Sequence, residues 1–257
     1  MNRKSWRVGG WLALLPLVTL GSAWSAEPAS APAPSAVMEQ PALDLLRGMS
    51  DRLAAARSFS FKTRDFIEAP SGTGQFLTFF AESEVSVVRP DKLRVKVGGD
   101  SPPFDLYFDG KALSVYAPKE RLYASVDGPK TLDELLPFAA KAGILLPFAD
   151  MLFKDPYASL TEGITSAFYA GSSAIGDALC QHLAFASPGV EWQIWIDAKT
   201  KLPRLLTGAL LRVRGAPRFS VEFSDWQLDH KLPPEGFFVL AKPEKANRMD
   251  FRAQPGQ

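Results

Sequence analysis

Cys180-Gln181-His182 is the first place in this chain where chemistry could be sought. Residues i and i+2 of a strand share a face, so a thiol and an imidazole could converge there. A cysteine nucleophile needs a base and a group that orients the base. His230 is the only other histidine and Cys180 the only cysteine, so a zinc site would need carboxylates to complete its shell. A strand face packed beneath neighbouring segments accounts for the pair without any chemistry, and that is the reading taken. The chain has no Gly-x-Ser-x-Gly elbow, no phosphate-cradling glycine loop and no HExxH. The expectation is a protein that is not an enzyme, with no cofactor and no metal.

The carboxylates and tryptophans are equally plain. Glu82 and Glu84 share the polar face of one strand pattern, Asp105 falls on a wet face, and Asp109 belongs to a turn. Trp195 stands opposite the apolar set of its strand, and Trp226 follows a parity switch near Ser224-Asp225 that suggests a bulge. Arg89 is different. It shares parity with Val85 and Val87, which points it at the apolar side, where an unpaired cation is costly. That position suggests a polar latch beside a cavity.

The elements that position Arg89 are strands. In VSVVRPDKLRVKV and FDLYFDGKALSVYAP, apolar residues alternate with Lys92, Arg94 and Lys96. Period-two alternation predicts antiparallel strands with one apolar and one wet face. Asp109-Gly110 between two such runs signals a hairpin. Leu43, Leu46, Met49, Leu53 and Ala56 recur at helical spacing, which predicts a helix of about four turns before Ser58. Six strands are expected between residues 58 and 126, and five more between 165 and 228. On the tenth, Leu205, Leu211 and Val213 are read as sharing one face. The fold class is α+β, mainly β: one curved antiparallel sheet of about eleven strands with helices to cover its concave side.

Between the two sets of strands lies an apolar segment of about 131–160. Thr131 and Glu134 form a capping box for a helix running to about Ala142, and Leu146-Pro147-Phe148 leads into a second short helix through Phe153. Leu132, Leu135, Leu136, Phe138, Ile144, Leu145, Leu146, Phe148, Met151, Leu152 and Phe153 must be buried against something. Ordinary core packing would do this; so would a lid over an apolar cavity, with the Pro and Gly breaks as hinges.

At the N-terminus, Arg3, Lys4 and Arg7 precede an apolar run from Val8 to Leu20 and small residues from Gly21 to Ala26. This is the pattern of a cleaved export signal, ending near Ala23 to Ala26, and it is short for a spanning helix of roughly 20 residues. Residues 27–40, rich in Pro, Ala and Ser, read as a flexible leader. One domain is expected over 41–241, then a polar tail over 242–257. Without Arg3, Lys4 and Arg7 the chain has 26 Lys and Arg against 28 Asp and Glu. Near-neutral charge gives no case for nucleic acid.

These features together resemble the periplasmic lipoprotein carrier family (LolA-type) and its superfamily of lipid-binding half-barrels. The carrying residues are Arg89-Pro90 ending a strand, Asp109-Gly110-Lys111 opening a hairpin, Tyr116-Ala117-Pro118 closing it and Pro233-Pro234-Glu235-Gly236 near the C-terminus. Arg57-Ser58-Phe59-Ser60 after the first helix also resembles the family's start. Cys180-x-His182 and the WQ-x-W-x-D run at Trp192 are similar to a related group of predicted periplasmic proteins of unknown function. The resemblance implies an open half-barrel, a helical lid and an acyl-chain cavity in a periplasmic protein. It assigns Arg89 the role of holding the lid closed. Leu93 stands where the carriers have an aromatic involved in lid and ligand handling, and that role is not carried over.

The expected ligand-contacting set is Arg89, Leu93, Val95, Phe104 and Leu106 on the early strands, Leu136, Phe148, Met151 and Leu152 on the lid, and Trp192 and Ile194 on a later strand. The expected function is binding or carriage of lipid, lipoprotein or another acylated ligand. The alternative is a non-enzymatic envelope sensor of the same fold that binds a protein partner. Expected partners are a lipid or acylated protein and an inner- or outer-membrane receptor, with the chain itself a monomer.

Overall fold

The computed structural model describes residues 37–250, apart from 145, 232, 233, 242 and 244. The expected export signal and most of the leader lie outside the described residues, as do Leu145 and Pro233. The leader's last residues are pinned. The Glu39 N–H donates to the Ala167 carbonyl at 2.8 Å, and the Ala167 N–H donates to Val37.

Helix α1 spans Gln40–Ala55 with Pro41 in its first turn, where a missing N–H costs nothing. It buries Ala42, Leu46, Met49 and Leu53, one apolar stripe at helical spacing. Six antiparallel strands follow: β1 Ser58–Pro70, β2 Phe76–Val88, β3 Lys92–Gly99, β4 Phe104–Phe108, β5 Ala112–Ala117 and β6 Leu122–Asp127. At the β4–β5 hairpin Asp109 Oδ1 accepts the N–H groups of Lys111 (3.0 Å) and Ala112 (2.9 Å), and Gly110 takes φ +81°. The Asp-Gly pair forms the turn it signals.

The lid comprises α2 (Leu132–Lys141), a 3-10 turn (Ala149–Met151) and α3 (Pro156–Thr161). Thr131 Oγ1 caps α2 by accepting the Glu134 N–H at 3.3 Å. Its other end is a Schellman motif: the Gly143 N–H donates to Ala140 O (2.9 Å) and the Ile144 N–H to Ala139 O (3.0 Å), with Gly143 at φ +81°. The expected second lid helix is only the 3-10 turn, and Phe138, expected to be buried with its neighbours, lies on the exposed side of α2. The helix proper starts beyond it, where Asp155 caps Pro156 and its successors by accepting the Ala158 N–H.

Strands β7 Ser166–Ile175, β8 Ala178–Ser187, β9 Val190–Asp197, β10 Pro203–Leu210 and β11 Arg218–Leu228 complete the antiparallel set. Strand β12, Asn247–Arg248, adds to β6 in parallel, inside what reads in sequence as a polar tail. The twelve strands form one sheet, in the order β12-β6-β5-β4-β3-β2-β1-β11-β10-β9-β8-β7. It is an open, curved half-barrel. The reading of β10 is corrected. The strand stops at Leu210, so Leu211 and Val213 lie in the exposed connection to β11, and Leu206, not Leu205, faces the core. A register shift between Pro203 and Leu205 resets the parity that the sequence pattern assumes.

Candidate functional site

Register carries apolar side chains in rows across the concave face. One row runs Phe61, Val85, Val95, Leu106 and Val115; the next runs Phe59, Val87, Leu93, Phe108 and Leu113. On the other side of β1, Val221, Leu206, Ile194 and Leu183 form a third. A bulge supplies the centrepiece. Ser60 faces Gln227 while Lys62 faces Ser224, so two residues, Asp225 and Trp226, oppose Phe61. Asp225 takes φ +54° and pairs outward with Lys62 at 2.9 Å. Trp226 is thereby turned inward and stacks on Phe61 with ring centres 4.3 Å apart. Phe148 of the lid meets the same ring edge-on at 5.5 Å.

Arg89 closes this end. Its Nη1 donates to the Leu152 carbonyl at 2.8 Å, and the guanidinium sits 5.3 Å from the centre of the Phe59 ring. The Pro90 carbonyl accepts the Leu132 N–H at 2.9 Å, so the Arg-Pro pair ties the start of α2 and the end of the 3-10 turn to the sheet. Arg89 Nε and Nη2 are enclosed without partners. Burial lowers the Arg89 pKa, and Asp133 opposes that shift.

Of the expected ligand-contacting residues, Leu93, Val95, Leu106, Leu136, Phe148, Met151, Leu152, Trp192 and Ile194 all lie in one continuous buried core. Phe104 shares their face through its pairing with Val97 but is only half-buried. Open space lies elsewhere. A cavity of about 350 Å³ separates the lid from the far end of the concave face. Its floor is Ile67, Leu210 and Phe219; its roof is Leu136, Ala139, Ala140, Ile144, Leu146, Pro147, Ala149 and Asp150. A second apolar cavity, about 300 Å³, lies on the other side of Ile144 against β5 and β6. Beyond the first, Leu77 and Phe79 extend the concave face as an exposed apolar shelf. Gly208 lets the Phe219 ring lie flat on β10, since a Cβ there would stand 2.6 Å from that ring.

The sequence reading missed this cavity's floor. Ile67, Phe219 and Leu210 sit at strand ends, where alternation predicts a face but not where the lid stops. It also missed Asp65, which shares parity with Phe59 and Phe61 and is buried on the concave face at 2% exposure. The parity test that singles out Arg89 would have found it. Burial raises the Asp65 pKa to about 6, partly offset by the hydroxyls of Thr63 and Ser83.

Cys180 and His182 do share a face, but they do not act together. His182 stacks on Trp195 (3.9 Å) and bonds Gln193 through Nε2 (2.8 Å). The Cys180 thiol is buried, donates to the Ala178 carbonyl, and has its pKa raised by burial, which keeps it protonated. Among the described residues no group of His, Cys, Asp and Glu side chains is arranged to hold a metal ion, and no helix is long and apolar enough to cross a membrane.

The model of the family described as "Predicted periplasmic protein (DUF2092)" matches residues 42–252. The chain belongs to this family. Membership places it in the periplasm and bears out the resemblance to a related group of predicted periplasmic proteins. Comparison with curated proteins finds no match. Among solved structures, the lipoprotein LppX of Mycobacterium tuberculosis is similar over 76% of this chain and 99% of its own, at 14% identity and TM-score 0.46. MucB is similar over 79% of this chain and 64% of its own, at 16% identity and TM-score 0.45. A LolA superfamily protein of Nitrosomonas europaea matches over 77% and 97%, at 11% identity and TM-score 0.37.

Proposed function

We propose that this protein is a periplasmic binder or carrier of an acylated ligand, a lipid or an acylated protein, and acts without catalysing a reaction. The observation that carries this reading is the apolar cavity of about 350 Å³ between the lid and the open end of the sheet. That volume is within the range of small-molecule sites. Each methylene buried there contributes about 0.8 kcal/mol. Ile144, directly after the Schellman glycine, divides this cavity from its neighbour, and a swing at Gly143 would join them into one channel. Arg89 ties the lid down at the filled end through its bond to Leu152, beside the buried Phe148 and Met151, so a chain entering at the open end lifts the lid only by working against that bond and the packing around it. A membrane receptor that breaks the same bond would release the ligand.

The test is native mass spectrometry with lipid extraction on protein purified from the periplasm without detergent. Bound species of acyl-chain mass support the reading and identify the ligand class. A clean unliganded mass, with no uptake when lipids are offered, overturns it in favour of a module that docks a protein partner on the Leu77–Phe79 shelf.

A further inference from the structure

The concave-facing positions of β1 run Phe59, Phe61, Thr63, Asp65 and Ile67. The first four are buried, and the last lines the cavity. Asp65 is therefore one pleat deeper than the cavity floor, about 7 Å along the strand. Its cross-strand partners on that face are Ala81 and Val221, and the row continues through Leu206, Ile194 and Leu183. Thr63 Oγ1 donates to Asp65 Oδ2 at 3.1 Å, while Oδ1 is enclosed without a partner. The nearby cations, Lys62 and Arg64, are on the opposite face of the sheet, paired with Asp225, Glu82 and Glu222. Among the described residues the one charged side chain lining the cavity, Asp150, is also acidic. A buried carboxylate without a cation is costly, and apolar packing alone gives no reason for one here.

We propose that Asp65 is the polar anchor of this cavity, taking the cationic, amine-bearing end of an amphiphile whose chain lies beneath the lid. The orphaned Oδ1 supplies an acceptor beside the Thr63 and Ser83 hydroxyls, burial strengthens a charge-assisted bond, and the absence of a cation among the described residues that line the cavity disfavours an anionic end. This rests on the acyl-binding reading above and names the head-group chemistry that such a site would select.

The test compares dodecylammonium, dodecanol and dodecanoate binding to the exported chain by calorimetry at pH 7.5. Wild type is expected to bind the amine at least about tenfold tighter than the alcohol, the acid weakest of the three. Asp65→Asn should bring the amine to the level of the alcohol without changing alcohol binding, while Asp150→Asn should keep the preference. Alcohol binding with no preference for the amine, or a preference that survives Asp65→Asn or is lost in Asp150→Asn, overturns the anchor and leaves the apolar cavity standing. Failure of all three probes to bind overturns both.

Discussion

The two ends of one concave face are finished in opposite ways. Near Arg89, Phe59, Phe61, Trp226 and Phe148 interlock, and a guanidinium is tied to the lid backbone. Toward the β1–β2 turn the same alternating strands carry Ile67 beneath the cavity under the lid, and Phe79 and Leu77 past it as exposed apolar side chains. Strand chemistry is the same at both ends. The difference is what the lid places over them: at one end a Phe ring against Phe61, and at the other a roof of Leu136, Ile144 and Leu146 with Ala139, Ala140 and Ala149 that leaves about 350 Å³ unfilled. A half-barrel can thus be solid where Arg89 ties the lid to the sheet and hollow at the opposite end of the same face.

The sharpest way to break this contrast is to empty the filled end. Phe148→Ala should cost about 3–5 kcal/mol in urea unfolding, whereas Ile67→Ala at the open end should cost about 1 kcal/mol or less. Equal costs would mean that the two ends are packed alike.

Asp65 gives the next largest effect. Its folded pKa of about 6 stands above its ordinary 3.8. The folded state therefore holds the proton more tightly, and stability is greatest below pH 4 and is lost as pH rises through 6. The loss is on the order of 3 kcal/mol. Asp65→Asn should flatten the dependence of the unfolding midpoint between pH 4 and 7, and an unchanged slope would show that another group titrates.

Arg89→Leu should leave the sheet intact and raise amide exchange across Met151 and Leu152 about tenfold or more, with ligand retained abnormally, because one charged hydrogen bond is lost. Unchanged lid protection and unchanged retention would remove the latch. The smallest effects sit at glycines. Gly143→Ala forces a side chain into φ +81° and should cost about 1 kcal/mol. Gly208→Ala should push the Phe219 ring toward the cavity and weaken dodecanol binding severalfold, at a stability cost of about 1 kcal/mol, since the new Cβ also meets the Glu191 carbonyl at 3.1 Å.

What could be read from sequence follows from local rules. Alternation in β2 to β4, the Asp109-Gly110 turn and the α1 stripe are set within a few residues, so they were legible. Arg89 was legible too, because parity alone turns it inward, and the same rule, applied one strand earlier, exposes Asp65. The bulge at Asp225 was signalled by a parity break, yet its consequence, Trp226 stacked on Phe61, depends on the register of β1 against β11. The β10 misreading has the same cause: the shift between Pro203 and Leu205 is a pairing event that a lone strand does not record.

By itself, then, the sequence determined the strands, their wet and apolar faces, the capped lid helix and the inward cation. Tertiary structure alone decided which part of the apolar face would be filled. That outcome depends on where a lid that runs as a helix through Pro137 and breaks at Gly143 and Pro147 comes to rest against strands distant in the chain. Local patterning sets the direction of each side chain, but the space above it is set by what the rest of the fold brings there.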